Sequence, residues 1–400
     1  MVQQAYRYEL APTRHEEEGL RRHVGAARFA HNWAVERCRK AHRPLSAATL
    51  HREWNLWKRA NAPWWEEVSK CAPQEAFRNV RRSYANWRAG RAREPRFHRR
   101  GVRDSFRLTG SIRVTDGRVQ LPRIGEVRTK EPTGKFRGRI LSATVRREAE
   151  RWLVSLAVER ERPDPIPVAG PAVGVDLGLA SFAVLSDGTR FDSPKALSSD
   201  WGRLRRRSRA HSRERKGSRN RAKSARSLAR LHYRVRCRRR DFLHKATTEL
   251  TKTKSVVVVE ELAVANLVRN HSLARAISDA GWSEFRRMLD YKAGWYGSRV
   301  VVAPRFYPSS KRCSGCGNVV GTLPLSERTY TCGECGLILD RDLNAARNLV
   351  SLVAGSSPET VNACGAEGSG RENGLVKPAA AKQEPSSRKL AAAAVGNKRL

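Results

Sequence analysis

Val173-Gly174-Val175-Asp176-Leu177-Gly178-Leu179 reads as a β-strand with two unlike faces. Alternate side chains of an extended chain point to opposite sides. Val173, Val175, Leu177 and Leu179 therefore share an apolar face, while Gly174, Asp176 and Gly178 share the other. An acid between two glycines has no Cβ beside it on its own face, so a metal ion and a phosphate backbone could approach it closely. Ser181-Phe182-Ala183-Val184-Leu185 reads as a second strand, with Ser186-Asp187-Gly188-Thr189 as its turn. The plainer alternative is a solvent-facing acid on an edge strand.

Two further acidic positions lie far along the chain. Val256-Val257-Val258-Val259-Glu260-Glu261-Leu262 is apolar on both faces, as a buried central strand requires, and ends in two acids that must point opposite ways. Parity leaves open which of the two enters a site. Asp340-Arg341-Asp342-Leu343-Asn344-Ala345-Ala346-Arg347-Asn348 opens the last helix, read as about Arg341 to Val353. Asp342 shares a face with Ala345, Ala346 and Leu349, and small alanines there let a helix lie close to a sheet. Asp340 is suited to an N-cap, and Asp342 could serve merely to offset the helix dipole. Phosphodiester hydrolysis with two Mg²⁺ ions about 4 Å apart calls for several carboxylates from separate elements, because hard cations take oxygen ligands. No Ser-His-Asp arrangement offers a competing catalytic set.

Cys313-Ser314-Gly315-Cys316-Gly317 and Cys332-Gly333-Glu334-Cys335-Gly336 repeat one design, each a cysteine pair on a tight turn followed by glycine. The spacing is that of a zinc ribbon, and four thiolates leave no open coordination position, so Zn²⁺ at Cys313, Cys316, Cys332 and Cys335 would be structural. The remaining cysteines, Cys38, Cys71, Cys237 and Cys364, are scattered, which suits a reducing compartment and no disulfide framework.

Lys and Arg total 79 against 39 acids, a formal net charge of +40. Such an excess repels itself unless a polyanion neutralises it, and nucleic acid is the polyanion that fits. From Arg203 to Arg240 about half the residues are basic, with a sparse apolar stripe of Leu228, Leu231 and Val235. The start of the chain lacks a signal-peptide core, and no apolar run is long enough to cross a bilayer. A cytoplasmic, nucleoid-associated protein of a prokaryote with no membrane partner is expected. Ala5–Leu10 reads as a strand, Thr13 to about Gly90 as helical, and 105–108, 112–114, 118–121 and 152–158 as strands of a small antiparallel barrel. Pro163, Pro165, Pro167 and Pro171 mark a stiff linker. The tryptophans of the helical stretch are assigned to a core, and His211, His232 and His244 to surface or packing roles.

In order along one chain, these motifs resemble the TnpB family, transposon-encoded proteins similar to type V CRISPR effectors. The likeness runs from Tyr6 to about Val353 and includes Gly25-Ala26-Ala27-Arg28-Phe29-Ala30-His31-Asn32-Trp33, Pro95-Arg96-Phe97, Gly174-Val175-Asp176-Leu177-Gly178, Val259-Glu260-Glu261-Leu262 and Ser309-Ser310-Lys311-Arg312-Cys313. It implies an α/β chain with a β-barrel and a helical lobe. The wedge-like barrel spans 1–10 and 93–165, and the helical recognition lobe 11–92. An RNase H-like (RuvC) nuclease domain spans 171–308 and 337–353, with a zinc-ribbon, target-nucleic-acid-binding insert at 309–336. Residues 354–400 are read as a disordered tail. The resemblance puts the catalytic acids at Asp176, Glu260 and Asp342, settling on Glu260 over Glu261, where the family often has Asp. It further implies a guide RNA from the transposon end, double-stranded target DNA beside a short motif, and one monomer per RNA. A guide-dependent DNA-binding regulator that does not cut and an accessory transposition protein are the alternatives. The intact acid set argues against the first.

Overall fold

In the computed structural model, residues 1–354 are described except Arg103 and Leu325. The tail after Ala354, with Cys364, lies outside the described residues.

The N-terminal half starts with strand β1 (Val2–Leu10) and helix α1 (Arg14–Lys40). Thr13 caps α1 in a reciprocal box: its hydroxyl accepts the Glu16 N–H, and the Thr13 N–H donates to the Glu16 carboxylate at 2.7 Å. Helix α2 (Ala47–Asn61), a short 3₁₀ turn and α3 (Cys71–Arg88) follow. Trp33, Trp54, Phe77, Val80 and Tyr84 make one core among these helices, with Trp57 and Trp64 packed at its edge. Most of the tryptophans are therefore packing residues, as read; Trp87 stands 42 % exposed.

Six short strands complete this half: β2 (Ser105–Leu108), β3 (Arg113–Thr115), β4 (Arg118–Leu121), β5 (Gly125–Arg128), β6 (Arg139–Glu148) and β7 (Arg151–Arg160). They form two antiparallel sheets, ordered β1-β7-β6-β2 and β3-β4-β5. A Leu10–Thr129 bridge and the Lys130 N–H to Glu9 carbonyl bond, 2.8 Å, join them at one corner. Both sheets bury side chains in one core, among them Leu10, Phe106, Leu121, Trp152 and Val154, which Leu20 and Val24 of α1 help to cover. Among the described residues no ladder joins β2 to β3.

The proline-rich linker runs past the end of a later helix, where the Val168 N–H bonds the Gly297 carbonyl at 3.1 Å. Next come β8 (Val173–Leu177), β9 (Ala183–Leu185), β10 (Arg190–Phe191), α4 (Ala196–Arg213), α5 (Arg219–Thr253) and β11 (Val256–Val259). Helices α6 (Val264–Leu267), α7 (Ala274–Ala280) and α8 (Trp282–Tyr296) lead to β12 (Arg299–Val302). The chain then runs through β13 (Thr329–Thr331), β14 (Ile338–Asp340) and α9 (Arg341–Ala354). Helix α9 thus takes in Ala354, assigned to the tail from sequence.

The five-stranded sheet is ordered β10-β9-β8-β11-β12, with β8, β11 and β12 parallel and β8, β9 and β10 antiparallel. Its valines explain why β11 is central. Val257 and Val259 pack with Val173, Val175, Leu250 and Phe285 on one face, and Val258 packs with Leu349 of α9 on the other. A strand apolar on both sides needs cover on both sides.

Helices α4 and α5 pair where the sparse stripe of Leu231 and Val235, with Leu228 partly buried beside it, meets Leu204 of α4. Some of their arginines are ion-paired at the surface. Arg226 and Arg230 ion-pair with Glu150, and Arg236 with Glu148, at the turn joining β6 to β7. Part of the basic density expected to meet nucleic acid also ties α5 to the N-terminal sheets.

Candidate active site

Register decides which acids meet. Strand β11 runs parallel to β8 with Val257 opposite Val173, Val258 opposite Gly174 and Val259 opposite Val175. Carried one residue past the last pair, that register would set Glu260 opposite Asp176 on one face and Glu261 opposite Leu177 on the other, and the Glu260 charge does act on Asp176. Neighbouring strands lie about 4.8 Å apart, which would make the first two carboxylates cross-strand neighbours. Glu260 is partly buried and Glu261 exposed.

Helix α9 brings the third acid to that face. Ala345 and Ala346 are buried against the sheet, and a Cβ on Gly174 would meet the Ala346 carbonyl oxygen at 2.0 Å and the Val350 nitrogen at 2.7 Å. Gly174 therefore serves the close approach of a helix. The sequence reading gave that room to a metal and a phosphate. Gly178 sits in a turn, where a Cβ would lie 2.9 Å from the Ser181 carbonyl oxygen. Asp342 lies one turn before Ala346, at the end of the helix nearest Asp176. Asp340 caps α9 by accepting the Leu343 N–H at 3.0 Å and pairs with Arg190 at 3.0 Å. Burial works to raise its carboxyl, but the Leu343 N–H and the Arg190 guanidinium hold it below the usual range.

The Asp176 carboxyl is pushed well above the usual range. Burial is the largest cause, the Glu260 and Asp342 charges add to it, and Arg341 offsets part. A half-buried carboxyl crowded by two further acids marks a set that a divalent cation would stabilise. Two of the acids have other partners. Glu260 accepts the hydroxyl of Ser309, and Asp342 lies 3.9 Å from Arg328. The three carboxylates do not close up as tightly as the cysteines do.

Among the described residues, Cys313, Cys316, Cys332 and Cys335 are the group whose ligand atoms all lie within 4.8 Å of one another. Sulfur separations of 3.6 Å for Cys313–Cys335 and for Cys316–Cys332 match tetrahedral coordination, where Zn–S bonds of about 2.3 Å set the sulfurs about 3.8 Å apart. Burial would raise the Cys313 thiol, but the N–H groups of Cys316 and Gly315 and the neighbouring thiols draw it down to about 6. Cys335 gains from the Leu337 N–H, yet its sulfur neighbours push it up to about 12. Crowded thiols cannot all ionise unaided, and a bound cation removes that conflict. Cys38, Cys71 and Cys237 are unbridged, consistent with the absence of a disulfide framework among the described residues.

Sequence reasoning gave no role to Ser309, Asn344 or Asn348. The amides of Asn344 and Asn348 are buried on the inner face of α9 and grip the segment that enters the cysteine site. Two asparagines spaced i, i+4 on an otherwise apolar helix stripe were the available signal.

A family model described as "Probable transposase" matches residues 155–271, the span holding Asp176 and Glu260. A second, "Cas12f1-like, TNB domain", matches 282–349, which holds the four cysteines and Asp342. A "Putative RNA-guided DNA endonuclease" of Streptomyces pristinaespiralis is 39% identical over 396 residues, covering 96% of each chain. The chain belongs to the TnpB family. Another relative, "Putative RNA-guided DNA endonuclease InsQ" of Escherichia coli (strain K12), is 33% identical across 90% of this chain and 94% of its own. A third model, "Helix-turn-helix domain", matches residues 1–43, which here form a strand and one 27-residue helix. A solved structure described as "Structure of the mini-RNA-guided endonuclease CRISPR-Cas_phi3" covers 88% of this chain and 92% of that one at 10% identity, with a TM-score of 0.47.

Proposed function

We propose that this chain is an RNA-guided DNA endonuclease that hydrolyses phosphodiester bonds of guide-matched DNA at Asp176, Glu260 and Asp342. The observation that carries the reading is the β8–β11 register, which, carried one residue on, supports Asp176 and Glu260 as neighbours on the face that α9 covers, as does the Glu260 charge felt at Asp176. The sheet order β10-β9-β8-β11-β12, three antiparallel strands continued by two parallel ones, supports an RNase H-like (RuvC) core with its first acid on the middle strand. The two N-terminal sheets around one core fit an open, wedge-like barrel, and α1 to α3 a helical recognition lobe.

The residues fit two Mg²⁺ ions: hard oxygen donors, mutual repulsion at Asp176, and glutamate and aspartate arriving from a strand end and a helix start. Bound there, the ions would supply an activated water and charge stabilisation at the leaving oxygen. The chain's own part is to hold the carboxylates at one edge. Four thiolates suit a structural Zn²⁺, which leaves no position for substrate.

A guide RNA from the transposon end would supply sequence readout by base pairing, while the basic surface holds the heteroduplex and the protein reads a short adjacent DNA motif. One chain per RNA suffices, because all three acids belong to one polypeptide. The names of the relatives support this reading. The test is purified protein with its co-transcribed RNA, matched DNA and Mg²⁺. Wild type cuts, and Asp176→Ala cuts about 100- to 1000-fold more slowly or not at all while still binding target. Full cleavage by Asp176→Ala would sink the assignment.

A further inference from the structure

The cysteine site and the acidic edge are joined by a run of hydrogen bonds through two buried asparagines. Helix α9 carries Asp342 and, two and six residues on, Asn344 and Asn348, which are 0% and 2% exposed. The Asn344 amide donates to the Arg312 carbonyl at 2.7 Å, and its oxygen accepts the Ser314 N–H at 2.9 Å. The Asn348 amide donates to the carbonyls of Ser309, at 2.8 Å, and Arg312. The Tyr307 hydroxyl adds a 3.0 Å bond to the Asn348 carbonyl. The segment held this way supplies Cys313 to the four-cysteine cluster at one end. At the other end Ser309, itself 4% exposed, donates its hydroxyl to Glu260.

We propose that Ser309 is a positioning residue for Glu260, and that metal at the four cysteines keeps it there through the Asn344–Asn348 ladder. This rests on the reading of Glu260 as a ligand of the catalytic cations. A carboxylate with two oxygens swings freely about its last torsion. Donation by the hydroxyl to one oxygen fixes the plane and leaves the other oxygen for a cation, as hydrogen-bonded partners of metal ligands commonly do. Loss of the cysteine-bound metal frees the turn at Cys313, and the register of Ser309 goes with it.

Mn²⁺ is the probe, titrated into the purified chain with free ion read by electron paramagnetic resonance. Zinc content and melting temperature are measured on the same samples. Ser309→Ala should weaken Mn²⁺ binding about tenfold with zinc content and melting unchanged. Ser309→Thr, which keeps the hydroxyl, should bind as wild type does. Cys316→Ser, changed at an exposed position, should lose zinc and weaken Mn²⁺ in the same direction, and it carries the comparison if Ser309→Ala does not fold. In cleavage, the Ser309→Ala defect should shrink at high Mg²⁺, since the half-saturating metal concentration rises while kcat holds. Wild-type Mn²⁺ affinity in Ser309→Ala, a loss in that variant that comes only with lost zinc and lowered melting, or wild-type Mn²⁺ affinity in zinc-free Cys316→Ser overturns the proposal and leaves the endonuclease reading intact. Unchanged Mn²⁺ binding in Asp176→Ala overturns both.

Discussion

Gly174 shows how one missing methyl group can set the geometry of a site. With the Ala346 carbonyl oxygen 2.0 Å from where a Cβ would stand, any side chain there must push α9 off the sheet. Gly174→Ala should lower stability by about 1–3 kcal/mol, the usual cost of overpacking, and impair cleavage through displaced Asp342. Gly25, inside α1, has nothing within 4 Å of its Cβ position. Gly25→Ala should instead stabilise by about 0.5–1 kcal/mol, because the unfolded chain loses freedom. Thermal melts of the two variants side by side check both signs.

Among the elements, α5 and α8 bury a lysine between them. Lys292 is 3% exposed, and its ammonium donates to the His244 carbonyl and the Thr247 and Thr248 hydroxyls at 2.6, 2.7 and 2.7 Å. Burial draws its pKa down from 10.5 to about 8. The charged form is thus disfavoured in the folded chain. Its penalty is complete below about pH 8 and disappears as pH rises toward the ordinary lysine value, where the unfolded chain gives up the same proton. Wild type should gain stability relative to Lys292→Met between about pH 8 and 10.5. Denaturant titrations at several pH values in that window check this; a constant difference would show that the ammonium is not disfavoured. The same packing logic explains the legible elements. The two-sided valines of β11 and the alternation of β8 appear in sequence because periodicity is local, whereas the β8–β11 register depends on how two distant strands align.

Over the whole molecule the charge of +40 is divided between two tasks. Arg205, Arg206 and Arg209 stand exposed on α4, while Arg226 and Arg230 are engaged by Glu150. Replacing the first three by Gln should flatten the slope of log binding constant against log salt by about 2–3, one phosphate contact contributing about 0.7–0.9. Replacing Arg226 and Arg230 should change that slope much less and loosen the junction between α5 and the N-terminal sheets. Binding isotherms at several salt concentrations distinguish the two sets. Equal slope changes would mean that the Glu150 pairs do not withhold charge from nucleic acid.

The sequence by itself determined the element types, the paired cysteines, the polycationic character and the family, since each depends on residue type and spacing within a short window or on ordered motifs. Structure alone decided the β8–β11 register on which the choice of Glu260 rests, that Gly174 makes room for a helix, that some of the arginines of α5 pair with Glu148 and Glu150, and that Ser309, Asn344 and Asn348 link the two candidate metal sites. Those outcomes are relations between residues distant along the chain, fixed by strand register and helix packing, and no local pattern encodes them.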